Sequence, residues 1–348
     1  MSLDQKLPTP EPSPASADVQ VVALAAIPVG VPVASDFEVT TRPRGEVGPG
    51  QVRLAVLDLS LDPYIRSTLG GTHLGDRLTD VGDVVPGRAV CRVLESASAD
   101  IAVGDVVIAE TGWVSEAVVD GAQAHAVQLP PGIPASAALG ALGMPGLTAY
   151  AAHVRHVRPG PGETVVIASA TGGVGAVAGA LATAAGARAV AIVGSEEKAR
   201  VAVEQLGYAA AVLRGDDLAA QLREACPDKV DAYLHMGDQA TMDVVMEQLA
   251  VGARVSLIGV LDQSNGAAPT RIRAGAVMAA RATLHGMVVY DHYDLAAEHV
   301  EVVGDLLRTG TLPLLEDRYV GLERAGEAFA RMMAGTNVGK VVVQVATT

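Results

Sequence analysis

Short apolar runs alternate with turns and small-residue segments in the middle of the 348-residue chain. Thr164–Ala168 is too short for a helix and is rich in β-branched residues, which is typical of a buried parallel strand. Val174–Ala185, made of small apolar residues, predicts a helix that packs closely on a sheet, and Ala187–Val193 predicts a second strand. The pattern therefore predicts a strand–turn–helix–strand unit.

The alternation continues beyond this unit. Four more apolar runs predict strands, with helices such as Thr241–Ala250 between them, and the runs are Ala209–Leu213, Val230–Leu234, Arg254–Ile258 and Thr283–Val289. Six strands in this order predict a doubly wound parallel sheet. Ala296–Arg308 predicts a further helix, and Lys340–Val345 a last strand that we expect to return to the N-terminal part of the chain.

The N-terminal third of the chain shows a different sequence pattern. Residues 1–18 contain prolines, serines and charges with little apolar material, which predicts a disordered tail. Beyond them, strand-like runs such as Gln51–Leu59, Val81–Val90 and Ile101–Ile108 are broken by glycine and proline. The predicted class is α/β: a β-rich domain (19–140 and 302–348) into which the parallel-sheet domain (141–301) is inserted. A ligand cleft is expected between them.

The turn after Thr164–Ala168 carries the first candidate chemistry. Ala170–Gly175 reads A-x-G-x-x-G, in which glycines let the backbone approach a pyrophosphate and the next helix offers its positive N-terminus. A lone glycine triplet can be an ordinary tight turn. Here the strand, turn, helix and second strand are all in register, so we predict a dinucleotide site and redox chemistry.

The tip of the second strand distinguishes between nicotinamide cofactors. An NAD enzyme usually places a carboxylate there to bind the ribose 2′-hydroxyl, whereas this chain reads Val193-Gly194-Ser195. Ser195, Lys198 and Arg200 can instead hold a 2′-phosphate by hydrogen bonds and charge. The alternative is a solvated first helical turn in which Lys198 pairs with a nearby carboxylate. The pattern favours NADPH over NADH.

Composition and charge agree with a small-molecule enzyme. The net charge of −14 argues against nucleic acid or an anionic membrane as a partner. No apolar run approaches the ~20 residues of a membrane span, and no signal-peptide pattern is seen at the N-terminus. The two cysteines, Cys91 and Cys226, cannot build a disulfide framework. We expect a cytoplasmic enzyme.

Five motifs occur together and in order, namely Leu61–Arg66, Leu142–Tyr150, Ala170–Gly175, Gly194–Lys198 and Thr336–Lys340. In this combination the chain resembles the zinc-independent medium-chain dehydrogenase/reductases. It is most similar to the branch of the prostaglandin, alkenal double-bond and curcumin reductases, over about Val21 to Val345. The resemblance implies a GroES-like catalytic domain, an inserted Rossmann domain, NADPH as cofactor and a homodimer.

The resemblance also implies a reaction. Its members reduce a carbon–carbon double bond conjugated to a carbonyl, so a hydrophobic enone or enal is the expected substrate. Hydride adds to the β-carbon, the enolate oxygen needs hydrogen-bond donors, and the α-carbon takes a proton. No metal is expected, because the cysteine and Gly-His-Glu signature of the zinc enzymes is missing. The scattered histidines, His153 and His156 among them, lack third partners in sequence.

Matching motif positions assign roles by resemblance. Tyr64 corresponds to a tyrosine that faces the substrate, and the alternative is a core tyrosine of the β-rich domain with its hydroxyl satisfied locally. The cofactor-binding candidates are Thr148, Gly172, Gly173, Val174, Gly175, Ser195, Lys198, Gly259, Met287, Val288, Val289 and Asn337. Of these, the residues from Gly172 to Gly175 line the pyrophosphate, Ser195 and Lys198 the 2′-phosphate, and the others the nicotinamide end.

The chain departs from the family at the proton donor. Ser264 stands where the family has a tyrosine that contacts cofactor and substrate, although Asn265 is retained. Serine is too short to reach the same point, and Tyr290 or Tyr293 could reach in instead. His235 ends the fourth predicted strand and could act as an acid near neutral pH, or could simply face solvent or a carbonyl. The donor therefore stays open between His235, Tyr290, water and the cofactor ribose.

Two further functions are compatible with these residues. A quinone reductase shares the fold and cofactor but reduces a quinone ring. A protein that lost reductase activity with its tyrosine would bind the cofactor in a structural, regulatory or non-redox role.

Overall fold

Two large sheets dominate the computed structural model, which describes residues 18–70 and 79–346. The strands are β1 (Asp18–Leu24), β2 (Phe37–Pro43), β3 (Gln51–Ser60), β4 (Arg88–Ser96), β5 (Val106–Glu110), β6 (Glu116–Asp120), β7 (His125–Ala126), β8 (Thr164–Ala168), β9 (Arg188–Val193), β10 (Ala210–Leu213), β11 (Val230–His235), β12 (Leu249–Leu257), β13 (Thr283–Gly286), β14 (Glu316–Val320) and β15 (Lys340–Gln344).

Helices flank the second half of these strands. They are α1 (Ile65–Thr68), α2 (Met144–Ala151), α3 (Gly173–Ala184), α4 (Glu196–Glu204), α5 (Leu218–Ala225), α6 (Gln239–Met246), α7 (Leu261–Ser264), α8 (Ala274–Ala280), α9 (Ala296–Arg308) and α10 (Ala325–Met333). A π-helical turn, Ala152–Val157, continues α2, and a 3₁₀ segment, Val289–Leu295, leads into α9.

The six-stranded sheet is parallel throughout, in the order β10-β9-β8-β11-β12-β13. The chain moves outward in one direction from β8 to β10 and then returns to start again at β11. The point between β8 and β11 is therefore the topological switch, outside which ligands bind in doubly wound sheets. The glycine turn that follows β8 lies at this point.

Both faces of the parallel sheet are buried, which explains its continuous apolar runs. Val165 and Ile167 face a core shared with α2, α3 and α9, while Val166 and Ala168 face a second core shared with α5 and α6. A half-exposed strand alternates apolar and polar residues, and this alternation is absent here because both faces of the strand are covered. Val303, near the middle of α9, lies in the same core as Val165 and Ile167.

The β-rich sheet has the order β14-β15-β3-β4-β5-β7, with β6 also on β3. As predicted, the last strand returns to it: β15 pairs antiparallel with β3 and parallel with β14. Its core is closed by three aromatic rings, Phe37, Trp113 and Phe329, whose centroids lie 5.3 to 5.7 Å apart. The predicted α/β class, a GroES-like β-rich domain with a Rossmann parallel sheet, is confirmed.

Several predicted boundaries need correction. Val81–Val90 is not one strand, because Gly82 adopts a positive φ of 92° in a turn and β4 begins only at Arg88. The helix predicted to Ala250 ends at Met246, and β12 already begins at Leu249. Residues 1–17 of the predicted tail lie outside the described residues, and Asp18 begins β1. The domain boundaries near residues 140 and 301 stay predictions.

A buried ion pair joins two of the five sequence motifs, Leu61–Arg66 and Thr336–Lys340, inside the β-rich domain. The Lys340 ammonium, at the start of β15, donates to the Leu61 carbonyl at 2.6 Å and to Oδ1 of Asp62 at 3.0 Å. Oδ2 of Asp62 accepts the Ser60 hydroxyl at 2.5 Å. Both charged side chains are more than nine-tenths buried. The pair therefore fixes the loop that leads to Tyr64.

The same lysine reaches the parallel-sheet domain. Its stem lies against the glycine turn, since a Cβ on Gly173 would stand 3.2 Å from Cδ of Lys340. The Gly339 amide beside it donates to the Thr171 carbonyl at 3.0 Å. Three motifs far apart in sequence, at residues 61–66, 170–175 and 336–340, meet at this point.

We predict that Lys340→Met lowers the free energy of unfolding by about 3–5 kcal/mol, because it leaves the Asp62 carboxylate buried without its cation. Denaturant unfolding of the single and double variants measures this. Adding Asp62→Leu to Lys340→Met should recover part of the loss, since both charges are then gone. A loss below about 1 kcal/mol for Lys340→Met alone would contradict the role given to the pair.

Candidate functional site: a dinucleotide cleft

The glycine turn is built to expose backbone amides. Gly172 is the N-cap of α3 and makes no side-chain cap, so the first amides of the helix at Gly173, Val174 and Gly175 have no intrahelical acceptor. Gly175 cannot carry a side chain, because a Cβ would lie 2.5 Å from the Ser169 carbonyl oxygen. Such a turn at the positive end of a twelve-residue helix fits an anionic diphosphate.

Tyr208 stabilises this turn. Its hydroxyl donates to the Gly175 carbonyl at 2.7 Å, and its ring covers Gly179, where a Cβ would stand 2.5 Å away. Burial raises the pKa of the Tyr208 phenol, so the hydroxyl stays protonated and keeps donating. Sequence reasoning missed this residue because it lies beyond the next helix of the chain.

Ser195 and Lys198 come together at the tip of β9. Ser195 is the N-cap of α4 and accepts the Lys198 amide at 3.3 Å. The Lys198 ammonium reaches the loop before β15 and donates to the Gly335 carbonyl at 2.7 Å. Burial, followed by the charge of Arg214, lowers the pKa of Lys198. Arg200, the third candidate, is exposed on α4.

Arg214 is a site residue that the sequence analysis missed. It follows β10, the strand next to β9, and its Nη2 lies 2.8 Å from where a Cβ on Gly194 would be. Its Nη1 is 3.7 Å from Oδ2 of Asp238. Two cations, Lys198 and Arg214, thus converge on a strand tip that carries no carboxylate. The available signal was a basic residue directly after the third strand of the parallel sheet.

The residues expected at the nicotinamide end come from four separate segments. Thr148 lies on α2, nine-tenths buried, and its hydroxyl donates to the Met144 carbonyl at 2.8 Å. Gly259 follows β12, with open space where a Cβ would be. Met287, Val288 and Val289 follow β13, and the Met287 amide donates to the Leu257 carbonyl at 2.9 Å. Gly259 and the Met287–Val289 segment therefore both lie at the carboxyl edge of the parallel sheet.

Two asparagines frame this edge. Asn337 uses its amide to hold its own loop, donating to the Gly339 carbonyl at 2.8 Å, and Gly339 in turn contacts the glycine turn. Asn265 differs: its side-chain oxygen is buried and has no hydrogen-bond partner anywhere in residues 18–70 and 79–346. A buried acceptor without a donor is costly, which points to a ligand that supplies one.

Tyr64 and Tyr290 come from different domains, and Tyr290 contributes to the raised pKa of Tyr64. Tyr64 precedes α1 in the β-rich domain, and Tyr290 follows Met287–Val289 in the other. Burial raises the pKa of Tyr64, as do Glu110, Asp62 and Tyr290; the pKa of Tyr290 is raised chiefly by burial and by Tyr293. Both phenols therefore stay protonated and can donate hydrogen bonds. The resemblance placed only Tyr64 here.

His235 lies elsewhere. Its side chain is 0% exposed at the end of β11, and Nδ1 is 2.7 Å from the Tyr233 hydroxyl. Burial lowers its pKa to about 4 despite the nearby Asp262 and Asp238, so the imidazole is neutral at pH 7. Nε2 has no hydrogen-bond partner in the described part of the chain. The imidazole belongs to a buried network under α6 rather than to the tyrosine pair.

Ser264 closes the short helix α7, half-buried beside Asn265. It lies on the loop after β12, at the same sheet edge as Gly259. None of the hydrogen bonds found in the described residues uses its hydroxyl.

No group of three or more histidine, cysteine, aspartate or glutamate side chains is arranged to hold a metal within residues 18–70 and 79–346. No helix of these described segments has the length and apolar character that crossing a membrane requires.

Comparison with protein families places both halves of the chain. Residues 20–127 match the N-terminal domain of oxidoreductase, and residues 173–303 match the zinc-binding dehydrogenase domain. The relatives include an NADPH-dependent curcumin reductase of Escherichia coli, which is 34% identical over 93% of this chain and 96% of that protein. A 2-alkenal reductase (NADP(+)-dependent) of Nicotiana tabacum is 30% identical over 91% of this chain and 94% of its own length.

A prostaglandin reductase 1 of Oryctolagus cuniculus is 32% identical over 89% of each chain. Among solved structures, CurA from Vibrio vulnificus in complex with NADPH superposes with a TM-score of 0.88 at 32% identity, covering 94% of this chain and all of that one. The chain therefore belongs to the medium-chain dehydrogenase/reductase family of oxidoreductases, in the branch of the curcumin, alkenal and prostaglandin reductases.

Proposed function

We propose that the protein is an NADPH-dependent reductase of carbon–carbon double bonds conjugated to a carbonyl, acting on hydrophobic enones or enals. The observations that carry the proposal are two phenols that burial keeps protonated, Tyr64 and Tyr290, of which the second follows the Met287–Val289 segment at the carboxyl edge of the parallel sheet. The names of the relatives, which are NADPH-dependent or NADP-dependent reductases, support the same chemistry.

The residues fit NADPH. The Gly172–Gly175 amides suit the pyrophosphate, and Asn265 offers a buried acceptor that lacks a donor among the described residues. At the β9 tip, Lys198 and Arg214 repel one another, and a 2′-phosphate between them would relieve that repulsion. The absence of a carboxylate at Gly194 and Ser195 removes the usual partner of the NAD 2′-hydroxyl.

The chain's own groups have distinct tasks in this reaction. When bound, NADPH would supply a hydride for the β-carbon of the substrate. Thr148 and the Met287–Val289 backbone would hold the nicotinamide end. Charge then develops on the carbonyl oxygen, where hydrogen-bond donors stabilise it. Tyr290, which is 44% exposed, delivers the proton to the α-carbon and exchanges it with solvent.

We also propose that the protein is a cytoplasmic homodimer. Within the described residues β13 pairs with β12 alone, so one edge of the parallel sheet is open to a second copy. Light scattering of the purified protein tests the dimer, and a monomer at micromolar concentration would contradict it.

We predict that Lys198→Ala and Arg214→Ala each weaken NADPH binding by about 10- to 100-fold, because each removes a charge-assisted hydrogen bond to the phosphate. NADH binding should change by no more than about twofold to threefold, since NADH lacks that phosphate. Calorimetric titration with both cofactors measures the difference. Arg223→Ala, which removes an exposed cation of α5 with no role in the site, is the control; equal losses for the two cofactors would remove the phosphate role.

A substrate panel tests the proposed activity itself. NADPH consumption should be fast with hydrophobic enones and enals, and the product should be the saturated carbonyl compound. Turnover of quinones alone would instead assign a quinone reductase. Tight NADPH binding with no consumption on any of these compounds would indicate a non-redox role.

We predict that Tyr290→Phe lowers kcat by about 100-fold, as loss of a general acid does, with NADPH affinity unchanged. His235→Gln should leave kcat within about threefold, because the imidazole is buried and neutral. Steady-state kinetics with a matched binding titration separates the two. A large kcat loss only in His235→Gln would reassign the donor, and unchanged turnover in both would leave water or the ribose as the proton route.

A further inference from the structure

The 3₁₀ segment Val289–Leu295 has two faces. In a 3₁₀ helix the side chains at i and i+3 lie above one another. Tyr290 and Tyr293 share one face on this spacing; they are 44% and 46% exposed, and their ring centroids lie 6.2 Å apart. His292 lies on another face, three residues before Leu295, which is buried in the core of the parallel-sheet domain. The segment therefore presents two phenols on one side and is anchored through the other.

His292 joins the two short turns of this segment. Its backbone, with φ −126° and ψ 16°, lies outside the helical region, so the segment is kinked at this residue. Tyr290 lies before the kink, and Tyr293 lies after it in the turn that leads into α9. The packing of the His292 side chain therefore fixes how the turn that carries Tyr290 meets the rest of the domain.

The His292 side chain packs in a cluster of three imidazoles. The rings of His156 and His292 meet edge to face with their centroids 5.7 Å apart, and His156 stacks on His285 of β13 at 4.7 Å. Nδ1 of His156 lies 2.9 Å from the Ser256 hydroxyl of β12, and both of these residues are buried. The cluster thus ties the segment that carries Tyr290 to the π-helical turn after α2 and to two strands of the parallel sheet.

Ring packing, rather than charge, holds His292 in this cluster. Burial, followed by the neighbouring His285 and His292, lowers the pKa of His156 to about 4, so the central ring is neutral at pH 7. Nδ1 of His292 is buried and has no hydrogen-bond partner among residues 18–70 and 79–346. An aromatic ring without that nitrogen can therefore take the same place without leaving a buried polar atom unpaired.

We propose that His292 is a positioning residue: its ring, packed on His156, holds Tyr290 where the phenol can give its proton to the α-carbon of the substrate. This proposal rests on the proposed function, in which Tyr290 is the proton donor. Because Tyr290 is 44% exposed, its position depends on the segment that carries it. A proton donor acts only from within hydrogen-bonding distance, and a displacement of about 1 Å can cost about 100-fold in rate.

Kinetics of two variants at position 292 test this role. His292→Ala should lower kcat for an enone by about 10- to 100-fold, with KM and the dissociation constant of NADPH unchanged within about twofold. His292→Phe keeps a ring and should retain at least about a third of kcat. Asp291→Ala, at an exposed neighbour, is the control and should behave as the unaltered protein. Unchanged kcat in His292→Ala, or an equal loss in His292→Phe, would overturn the proposal.

A double variant shows whether His292 acts through Tyr290. In Tyr290→Phe the proton donor is already gone, so adding His292→Ala should lower kcat by no more than about twofold further. A full additional loss would show a general structural role and would overturn the proposal. A loss in His292→Ala with none in Tyr290→Phe would also overturn it, because His292 would then act through another group.

Hydrogen–deuterium exchange tests the packing without turnover. The Asp291 amide, which donates to the Val288 carbonyl at 3.1 Å, should exchange at least about tenfold faster in His292→Ala than in the unaltered protein. Its exchange rate should be unchanged in His292→Phe, and equal rates in all three proteins would overturn the proposal. Absence of enone turnover by the unaltered protein would instead refute the proposed function, and the exchange rates would still test whether His292 holds the segment.

Discussion

The buried ion pair between Lys340 and Asp62 is the constraint on which the cleft depends. An ammonium and a carboxylate removed from water are costly to bury and are tolerated only when each finds its partner, as these do together with Leu61 and Ser60. Because Lys340 also packs against Gly173, the pair sets the position of the Leu61–Arg66 segment relative to the glycine turn. One side chain therefore aligns the segment that carries Tyr64 with the turn that we propose binds the pyrophosphate.

The topology of the parallel sheet brings the other candidate site residues to this junction. Strands that run in one direction bring their carboxyl ends to one edge, so turns after β8, β9, β10, β12 and β13 share it. That arrangement explains why amides, two cations and a buried asparagine converge although they are spread over about a hundred residues.

Local features could be predicted from the sequence. Thr164–Ala168 and Ala296–Arg308 have the predicted bounds, because an uninterrupted apolar run and a strongly amphipathic helix each carry their own signal. The glycine turn was recognisable because its conformation depends on residues adjacent in sequence. The prediction of a strand over Val81–Val90 was wrong. The apolar residues alternate as they would in a strand, but Gly82 adopts a positive φ and places them in a turn.

Contacts between distant segments could not be predicted in this way. Arg214 reaches Gly194 only because β10 lies beside β9, and Lys340 reaches Gly173 only because the two domains pack on each other. His235 is completely buried although it ends a strand at the ligand edge of the sheet, and a single sequence holds no signal for that burial. A polar side chain at a sheet edge can be identified from the sequence, but the residues that surround it cannot.

A structure of the complex with NADPH and an enone would test the central claim most directly. We expect the 2′-phosphate between Lys198 and Arg214, the pyrophosphate on the Gly172–Gly175 amides, and the substrate carbonyl within hydrogen-bonding distance of Tyr64 or Tyr290. An enone bound away from both tyrosines, or a cofactor that does not touch the glycine turn, would contradict the proposed function.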